Sequence, residues 1–254
     1  MDDVAQGAQP AELDGKVALV TGSSSGIGEA CVRRLAALGC RVIVNSANSV
    51  EAGQSLAAEI GASAHYVQAD ISSEDDCIRL VDETVQRFGR MDILVNNAGF
   101  TKVIPHHDLD AVSEDVFRRI FDVNVFGTWY LSRAAMASLR ASGDGNIVNI
   151  TSIAGVRPTG SSIPYAMSKA ALNHMTELMA RVVGPEVRVN AVAPGLVATP
   201  WTSDWDAQHA AVAKRAPLHR SATPDDVAEA VLGIVRARYQ TGGIVIIDGG
   251  TTLT

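Results

Sequence analysis

Apolar residues along this chain occur in short continuous runs, and segments of helical periodicity separate these runs. Seven apolar runs predict buried strands at residues 16–20, 41–45, 64–68, 92–95, 146–150, 187–193 and 244–247. Helical periodicity predicts helices at residues 27–38, 50–60, 74–88, 113–139 and 165–181, and a last helix that begins at Pro224. Continuous apolar strands that alternate with helices are typical of a parallel sheet covered on both faces. We therefore expect one α/β domain of the doubly wound type.

Composition and charge limit the classes of protein that fit this pattern. The chain has 254 residues, of which 47% are hydrophobic, and its formal net charge is −7. This length allows a core that needs no metal or disulfide. The acidic balance argues against a nucleic-acid-binding protein, which would need a basic stripe. Cys31, Cys40 and Cys77 are odd in number and lie in apolar segments, so we interpret them as buried hydrophobic residues.

The first residues are polar and small. Residues 1–14 are predicted to be a loose tail, and the catalytic domain then spans residues 15–254. The amino-terminal segment lacks the basic and apolar regions of a signal peptide, and no run of 18 apolar residues occurs. We therefore expect no membrane span and a cytoplasmic location.

A glycine-rich segment, TGSSSGIG at residues 21–28, follows the first predicted strand and opens the first helix. Its glycines are spaced G-x-x-x-G-x-G, with a longer first gap than in the usual dinucleotide fingerprint. Glycine lets the backbone turn sharply beside a pyrophosphate, and the helix presents its first N–H groups to that anion. The alternative is an ordinary Gly/Ser-rich turn between a strand and a helix.

The end of the second predicted strand bears on the choice between NAD(H) and NADP(H). A carboxylate there would bind the ribose 2′-hydroxyl of NAD and repel the 2′-phosphate of NADP. No Asp or Glu occurs between Val44 and Glu51, which favours NADP(H) over NAD(H). No Arg or Lys lies nearby either, so Ser46 and its neighbours offer only neutral hydrogen bonds to a phosphate.

Three side chains in the segment from Asn149 to Leu172 suggest acid/base chemistry. Tyr165 and Lys169 are four residues apart, which places them on one face of a helix, and Ser152 precedes Tyr165 by thirteen positions. A nearby ammonium group is expected to lower the pKa of a tyrosine and to ready it for proton exchange with a carbonyl or alcohol oxygen. The alternative is an amphipathic helix that carries the pair by chance.

Taken in order, these motifs resemble those of the short-chain dehydrogenase/reductase family, and in particular its 3-oxoacyl-(acyl-carrier-protein) reductase-like branch. The motifs are TGSSSGIG at 21–28, NNAG at 96–99, Asn124 within FDVNVFG, Ser152, the Tyr165/Lys169 pair, and Pro194-Gly195. The resemblance covers residues 15–250. It implies a single-domain, Rossmann-type, seven-stranded parallel sheet, a nicotinamide cofactor and an Asn–Ser–Tyr–Lys tetrad.

The resemblance also assigns roles to individual residues. Tyr165 would donate or accept the proton, Lys169 would lower its pKa and bind the nicotinamide ribose, and Ser152 would hold the substrate oxygen. Asn124 would anchor a water that relays protons to Lys169, although it could equally be an amide that packs a helix. The implied cofactor-binding residues are Gly22, Ser24, Gly26, Ile27, Gly28, Ser46, Asp70, Ile71, Asn97, Ala98, Gly99, Tyr165, Lys169, Pro194, Gly195, Val197 and Thr199. Asp70 could instead be a helix cap.

The segment of residues 200–222 is expected to cover the substrate, as the corresponding segment does in this family. Trp201 and Trp205 either form an aromatic wall over the substrate or pack the lid onto the body. His106 and His107 lack a third ligand, so no metal site is expected. The helices at 113–139 and 163–183 are apolar on more than one side, and the resemblance implies a homotetramer or dimer there.

The function that these observations favour is hydride transfer between NADP(H) and a ketone or secondary alcohol, as a carbonyl or 3-oxoacyl reductase. An NAD-dependent alcohol or sugar dehydrogenase is the alternative enzyme, and a non-catalytic dinucleotide-binding regulator is the alternative of another class. The substrate would be a small carbonyl or alcohol compound, which an acyl carrier protein could deliver. Such a carrier would need a basic patch beside the pocket, for which Arg133, Arg140, Arg157 and Arg181 are candidates.

Overall fold

Seven parallel strands form the central sheet of the structure, a computed structural model that describes residues 11–253. The strands are β1 (Val17–Val20), β2 (Arg41–Ser46), β3 (Ala64–Gln68), β4 (Ile93–Asn96), β5 (Gly145–Ile150), β6 (Val187–Pro194) and β7 (Ile244–Ile247). Their order across the sheet is β3-β2-β1-β4-β5-β6-β7. The order in which successive strands are added to the sheet therefore reverses between β1 and β4, and this switch point is where ligands bind in doubly wound sheets. The predicted fold class is confirmed.

Eight α-helices occur in the described part of the chain, and most of them cover the two faces of the sheet. They are α1 (Gly26–Ala37), α2 (Val50–Ile60), α3 (Glu74–Phe88), α4 (Glu114–Phe121), α5 (Thr128–Ala141), α6 (Ile163–Val183), α7 (Asp206–Arg215) and α8 (Pro224–Arg236). Side-chain caps fix several starts, because Ser73, Ser162 and Thr223 each accept a backbone N–H of the first turn. Two apolar clusters, one on each face, bury the five central strands almost completely, whereas the edge strands β3 and β7 are partly exposed.

The predicted helix over residues 113–139 is wrong in one respect, because it is not a single α-helix. Six residues, Asp122–Gly127, form a π-helical turn between α4 and α5. A Cβ on Gly127 would lie only 2.7 Å from the carbonyl oxygen of Ile71, so glycine allows this turn to approach the β3–α3 loop closely. The 3.6-residue periodicity of the sequence does not reveal this turn. The turn carries Asn124, and π-helical turns occur often at functional sites.

The amino-terminal prediction falls partly outside the described residues. Residues 1–10 of the expected tail are not described, whereas residues 11–14 contact the domain. The backbone N–H of Leu13 donates to the carbonyl oxygen of Leu38, and Glu12 forms a bidentate ion pair with Arg236. The domain's contacts therefore begin before residue 15. Within residues 11–253, no helix is long and apolar enough to cross a bilayer.

Candidate active site

The glycine loop between β1 and α1 has the backbone conformation that a phosphate cradle needs. Gly22 and Gly26 both have a φ of +59°, which side chains other than glycine adopt rarely. Ser25, the N-cap residue of α1, makes no side-chain capping bond, so the first N–H groups of α1 remain available to an anion. The loop therefore fits the pyrophosphate of a dinucleotide at a helix N-terminus.

Two side chains fasten this loop to the end of β4. The amide nitrogen of Asn97 donates to the carbonyl oxygens of Thr21 and Gly22, at 2.8 and 3.0 Å. In return, the hydroxyl of Thr21 accepts the backbone N–H groups of Asn97 and Ala98, both at 3.0 Å. Gly28 closes the arrangement, since a Cβ there would lie 2.6 Å from the Asn97 amide nitrogen. Gly28 therefore packs behind the loop.

Replacement of Gly22 by alanine tests this loop geometry. A Cβ on Gly22 would lie 2.9 Å from the Cα of Ala98, and the residue would also be held at a positive φ. We expect Gly22→Ala to lower the free energy of unfolding by about 2–4 kcal/mol, since left-handed strain and overpacking add. Gly89→Ala is the matched control, because Gly89 is left-handed, with a φ of +79°, but has no atom within 4 Å of its Cβ position. Urea titration should give the control a loss of only about 1–2 kcal/mol, and equal losses would contradict the packing argument.

The end of β2 presents neutral polar groups to the same cavity. The hydroxyls of Ser46 and Tyr66 are hydrogen-bonded at 2.9 Å, so Ser46 has a fixed orientation. Asn45, which the sequence analysis missed, accepts the backbone N–H of Gly22 at 3.3 Å and donates to the carbonyl oxygens of Val67 and Ala69. Asn45 thus links β1, β2 and β3 beneath the place where a ribose would lie.

Asp70 lies at the far end of this cavity, after β3. Its carboxylate accepts the backbone N–H and hydroxyl of Ser72 and pairs with Arg119 at 3.3 Å. Burial alone would raise the pKa of Asp70, but the bonds from Ser72 and the charge of Arg119 outweigh it and lower this pKa. Arg119 also lines the cavity, and no motif predicts this because Arg119 is distant along the chain from Asp70.

Ser152, Tyr165 and Lys169 meet at the other end of the cavity, where β5 ends and α6 begins. Ser152 follows β5, and its side chain accepts the backbone N–H of Ala154 at 3.1 Å. Ser162 caps α6 by accepting the backbone N–H of Tyr165. Lys169 is 4% exposed, its Nζ donates to the carbonyl oxygen of Ile150 at 2.9 Å, and it lies 5.7 Å from the centroid of the Tyr165 ring.

The expected lowering of the Tyr165 pKa by Lys169 is wrong, because burial dominates this pKa. Burial raises the pKa of Tyr165 to about 12, and an interaction with the Ser152 hydroxyl opposes only part of this shift. Burial also lowers the pKa of Lys169 to about 8. The physical reason is that the surrounding protein penalises both charged forms, and that the ammonium points at the Ile150 carbonyl.

Asn124 lies beside these residues but does not line the cavity. It is fully buried, its Oδ1 accepts the backbone N–H of Phe100 at 2.7 Å, and its Nδ2 donates to the Phe100 carbonyl oxygen and to the Ser168 hydroxyl. The side chain therefore holds the loop after β4 against α6. These bonds use both N–H donors of the amide, whereas Oδ1 can still accept a second hydrogen bond. The water relay through Asn124 stays a prediction.

One cavity of about 920 Å³ joins the two ends of the site. The predicted residues that line it are Gly22, Ser24, Gly26, Ile27, Ser46, Asp70, Ile71, Asn97, Ala98, Gly99, Ser152, Tyr165, Lys169, Pro194, Gly195, Val197 and Thr199. Of the predicted set, only Gly28 and Asn124 are outside the lining. Among residues 11–253, no cluster of His, Cys, Asp or Glu could hold a metal ion.

The predicted lid covers the tyrosine end of this cavity. Trp201 lies in a short 3-10 turn, Pro200–Thr202, and its ring stands perpendicular to that of Tyr165, with centroids 6.5 Å apart. Trp201 is 51% exposed, and Trp205 also lines the cavity. The two indoles therefore contribute to the cavity wall, and they are not buried in the body of the domain.

A cavity with a phosphate cradle at one end and a Ser/Tyr/Lys group at the other defines a dinucleotide-dependent oxidoreductase. The family model for enoyl-(acyl carrier protein) reductase matches residues 22–252. The chain therefore belongs to the short-chain dehydrogenase/reductase family, and it is an NAD(P)-dependent oxidoreductase.

Individual relatives agree with this assignment. The chain is 56% identical over 242 residues to a candidate ketoacyl reductase 2 of the granaticin polyketide synthase of Streptomyces violaceoruber, covering 93% of this chain and 96% of that protein. It is 35% identical to a 3-oxoacyl-[acyl-carrier-protein] reductase of Synechocystis, with 95% and 98% covered. A solved glucose/ribitol dehydrogenase structure from Brucella melitensis superimposes with a TM-score of 0.89 at 28% identity, with 95% and 98% covered.

Proposed function

We propose that this protein is an NADPH-dependent reductase of ketones, and in particular of 3-oxoacyl groups. The observation that carries the proposal is the meeting of Ser152, Tyr165 and Lys169 at one end of a cavity whose other end is a glycine-rich cradle. The bound nicotinamide would supply hydride to a carbonyl carbon. The names of the ketoacyl and 3-oxoacyl reductase relatives support the substrate class.

Ser152, Tyr165 and Lys169 each have a separate role in the reduction. The Ser152 hydroxyl donates to the carbonyl oxygen and orients it, and Tyr165 gives its proton to that oxygen as negative charge develops. A Tyr165 pKa of about 12 keeps the phenol protonated at neutral pH, which suits a proton donor and hence the direction of reduction. Lys169 stabilises the phenolate that remains after the transfer, and the glycine loop holds the pyrophosphate.

A kinetic panel tests the proposal. The purified protein is mixed with NADPH or NADH and a 3-oxoacyl thioester or a simple ketone, and with NADP⁺ or NAD⁺ and a secondary alcohol or sugar, while absorbance at 340 nm is recorded. We expect the highest kcat/KM with NADPH and the 3-oxoacyl thioester. Exclusive oxidation of sugars with NAD⁺ would favour the alternative that the Brucella melitensis structure suggests. Cofactor binding without any turnover would favour a non-catalytic regulator.

The preference for NADP(H) rests on the neutral end of β2. Ser46 and its neighbours along the cavity carry no carboxylate, so nothing there repels a 2′-phosphate. Arg119, a cation of the lining, already pairs with Asp70. We therefore propose that the preference for NADP(H) over NAD(H) is modest, because it arises only from the absence of a carboxylate that would repel the 2′-phosphate.

Introduction of one carboxylate at this position tests the preference. We expect Ser46→Asp to raise the Kd for NADPH at least about tenfold relative to that for NADH, because the new charge faces the 2′-phosphate. Ser46→Asn is the matched control of equal size, and it should leave the ratio of the two Kd values within about twofold. Isothermal titration gives both constants, and an unchanged ratio in the aspartate variant would refute the placement of Ser46 at the ribose.

The assembly and the acyl carrier are further parts of the proposal. Apolar side chains on α5, α6 and the π-helical turn are substantially exposed, and they are Phe126, Trp129, Met167, Leu178 and Val182. Such a surface supports association of this face with a second copy, as a homotetramer or dimer.

The three cysteines are free and buried, which supports a reducing compartment such as the cytoplasm. A carrier-bound substrate is supported by the names of the reductase relatives.

A further inference from the structure

The lid helix α7 presents one side to the cavity and has little else to hold it. Trp205, Gln208, Val212 and Arg215 line the cavity, and their spacing of three, four and three residues places them along one helical face. None of the ten residues of α7, all of which the structure describes, is fully buried. Apolar burial therefore contributes little to keeping this helix in place, and polar contacts carry more of its attachment.

His209 lies beside that face and contacts both ends of the lid. Its Nδ1 lies 2.7 Å from the hydroxyl of Ser221, at the end of the lid, and its Nε2 lies 3.3 Å from the carbonyl oxygen of Thr202, at the start. A carbonyl oxygen only accepts, so Nε2 carries the proton and Nδ1 accepts from the Ser221 hydroxyl in the neutral ring. One imidazole thus joins segments that are seven residues before it and twelve residues after it.

Both partners of His209 are themselves anchored to the body of the domain. The Thr202 hydroxyl donates to the carbonyl oxygen of Val197 at 2.6 Å and accepts the backbone N–H of Thr199. Ser221 precedes Ala222, which pairs with Val197 in an isolated β-bridge at the neck of the lid. Trp201, the residue before Thr202, stands against Tyr165. The imidazole therefore connects the cavity-facing helix to the fixed neck and to the turn that places Trp201.

We propose that His209 is a positioning residue that holds the lid over the tyrosine end of the cavity. It does not face the cavity, so it acts through Thr202, Ser221 and the helix that it carries. The inference rests on the proposed function only in assuming that a ketone binds under the lid. Loss of the imidazole allows α7 to move away from the cavity, which lowers the population of the closed lid. Substrate binding is therefore weakened more than the chemical step is slowed.

Limited proteolysis measures the lid without any substrate. Lys214, Arg215 and Arg220 are exposed trypsin sites within the lid. In His209→Ala we expect cleavage at these bonds to become about tenfold faster, because two hydrogen bonds that hold the closed lid are lost. His219→Asn is the matched control in the same lid. The His219 side chain lies 3.4 Å from the carbonyl oxygen of Ala213, and the residue has a φ of 52°, which asparagine tolerates. Its cleavage rate should stay within about twofold of that of the parent chain.

Steady-state kinetics supply the second measurement. We expect His209→Ala to raise KM for the ketone about tenfold while kcat stays within about threefold. Ser221→Ala, which removes only one of the two bonds, should give a smaller change in the same direction. The double variant should resemble His209→Ala, because both substitutions break the same contact.

Three results would overturn the proposal. The first is a His209→Ala protein whose tryptic rate and KM both stay within twofold of the parent values. The second is full additivity in the double variant. The third is a fall in kcat alone, which would mean a direct part in the reaction. Should His209→Ala fail to fold, Ser221→Ala decides the matter by the same measurements. A parent chain that reduces no ketone defeats the proposed function, yet the proteolysis still tests His209.

Discussion

Replacement of Tyr165 by phenylalanine is expected to abolish ketone reduction while the protein still binds its cofactor. The substitution removes only the phenolic oxygen, so the perpendicular packing of the ring against Trp201 is kept. A positioned proton donor contributes about 10²–10⁴-fold to a rate, and we expect kcat to fall by at least this factor. The Kd for NADPH, measured by titration of the intrinsic fluorescence, should change by less than about threefold.

The control for this variant is Tyr239→Phe, because Tyr239 is fully exposed at the surface. Its kcat and KM should equal those of the parent chain. A Tyr165→Phe protein that retained more than about a tenth of the parent kcat would show that another group delivers the proton. A protein that lost cofactor binding as well would show that the phenol mainly holds the nicotinamide end of the site.

Replacement of Lys169 by methionine is expected to have the second-largest effect. Methionine keeps most of the volume but cannot donate to the Ile150 carbonyl oxygen or stabilise a phenolate. Loss of one such group in an active site costs about 10²–10³-fold in kcat. Lys214→Met is a suitable control, because Lys214 is an exposed lysine at the end of α7.

The same variant has a signature in stability that needs no substrate. The pKa of Lys169 is about 8 in the folded chain and 10.5 when the side chain is unperturbed. Below pH 8 both states are protonated, and the folded state bears the cost of a buried charge. Between pH 8 and 10.5 the folded state releases its proton first, so the free energy of unfolding rises with pH, by up to about 1.4 kcal/mol per unit.

Urea unfolding of both proteins at pH 7 and pH 9.5 isolates this contribution. From pH 7 to 9.5 the parent chain should gain about 2 kcal/mol more than Lys169→Met, because other titrating groups cancel in the difference. Tyr165 acts in the opposite sense only above pH 10, where its raised pKa makes the folded state lose stability as the unfolded chain ionises. Parallel pH dependences of the two proteins would mean that Lys169 keeps its charge at little cost.

Much of the fold could be predicted from the sequence because short apolar runs and helical periodicity are local signals. The strands Ala64–Gln68 and Ile244–Ile247 and the helices Val50–Ile60 and Glu74–Phe88 have the predicted bounds. Glycine, serine or proline marks many of these ends, and such residues act locally. The π-helical turn Asp122–Gly127 was missed because its cause is a contact with a distant loop.

The candidate site, like the fold, could be predicted from the sequence only in part. Residues in compact motifs, such as the glycine loop, could be recognised along the chain, and most of them line the cavity. Asn45, Arg119 and His209 gave no signal, since each acts through partners that are close only after folding. The pKa of Tyr165 could not be predicted from the spacing to Lys169, because burial of the whole site decides its direction.

The π-helical turn has a consequence for how chain length can vary in this protein. A π-helical turn closes i→i+5 hydrogen bonds and holds about one residue more than an α-helical turn, so a one-residue deletion within Asp122–Gly127 would close it to an α-helical turn and shift its side chains around the helix axis. Asn124 would then no longer face the Phe100 backbone and Ser168 together. Insertions and deletions should therefore be excluded from these six positions.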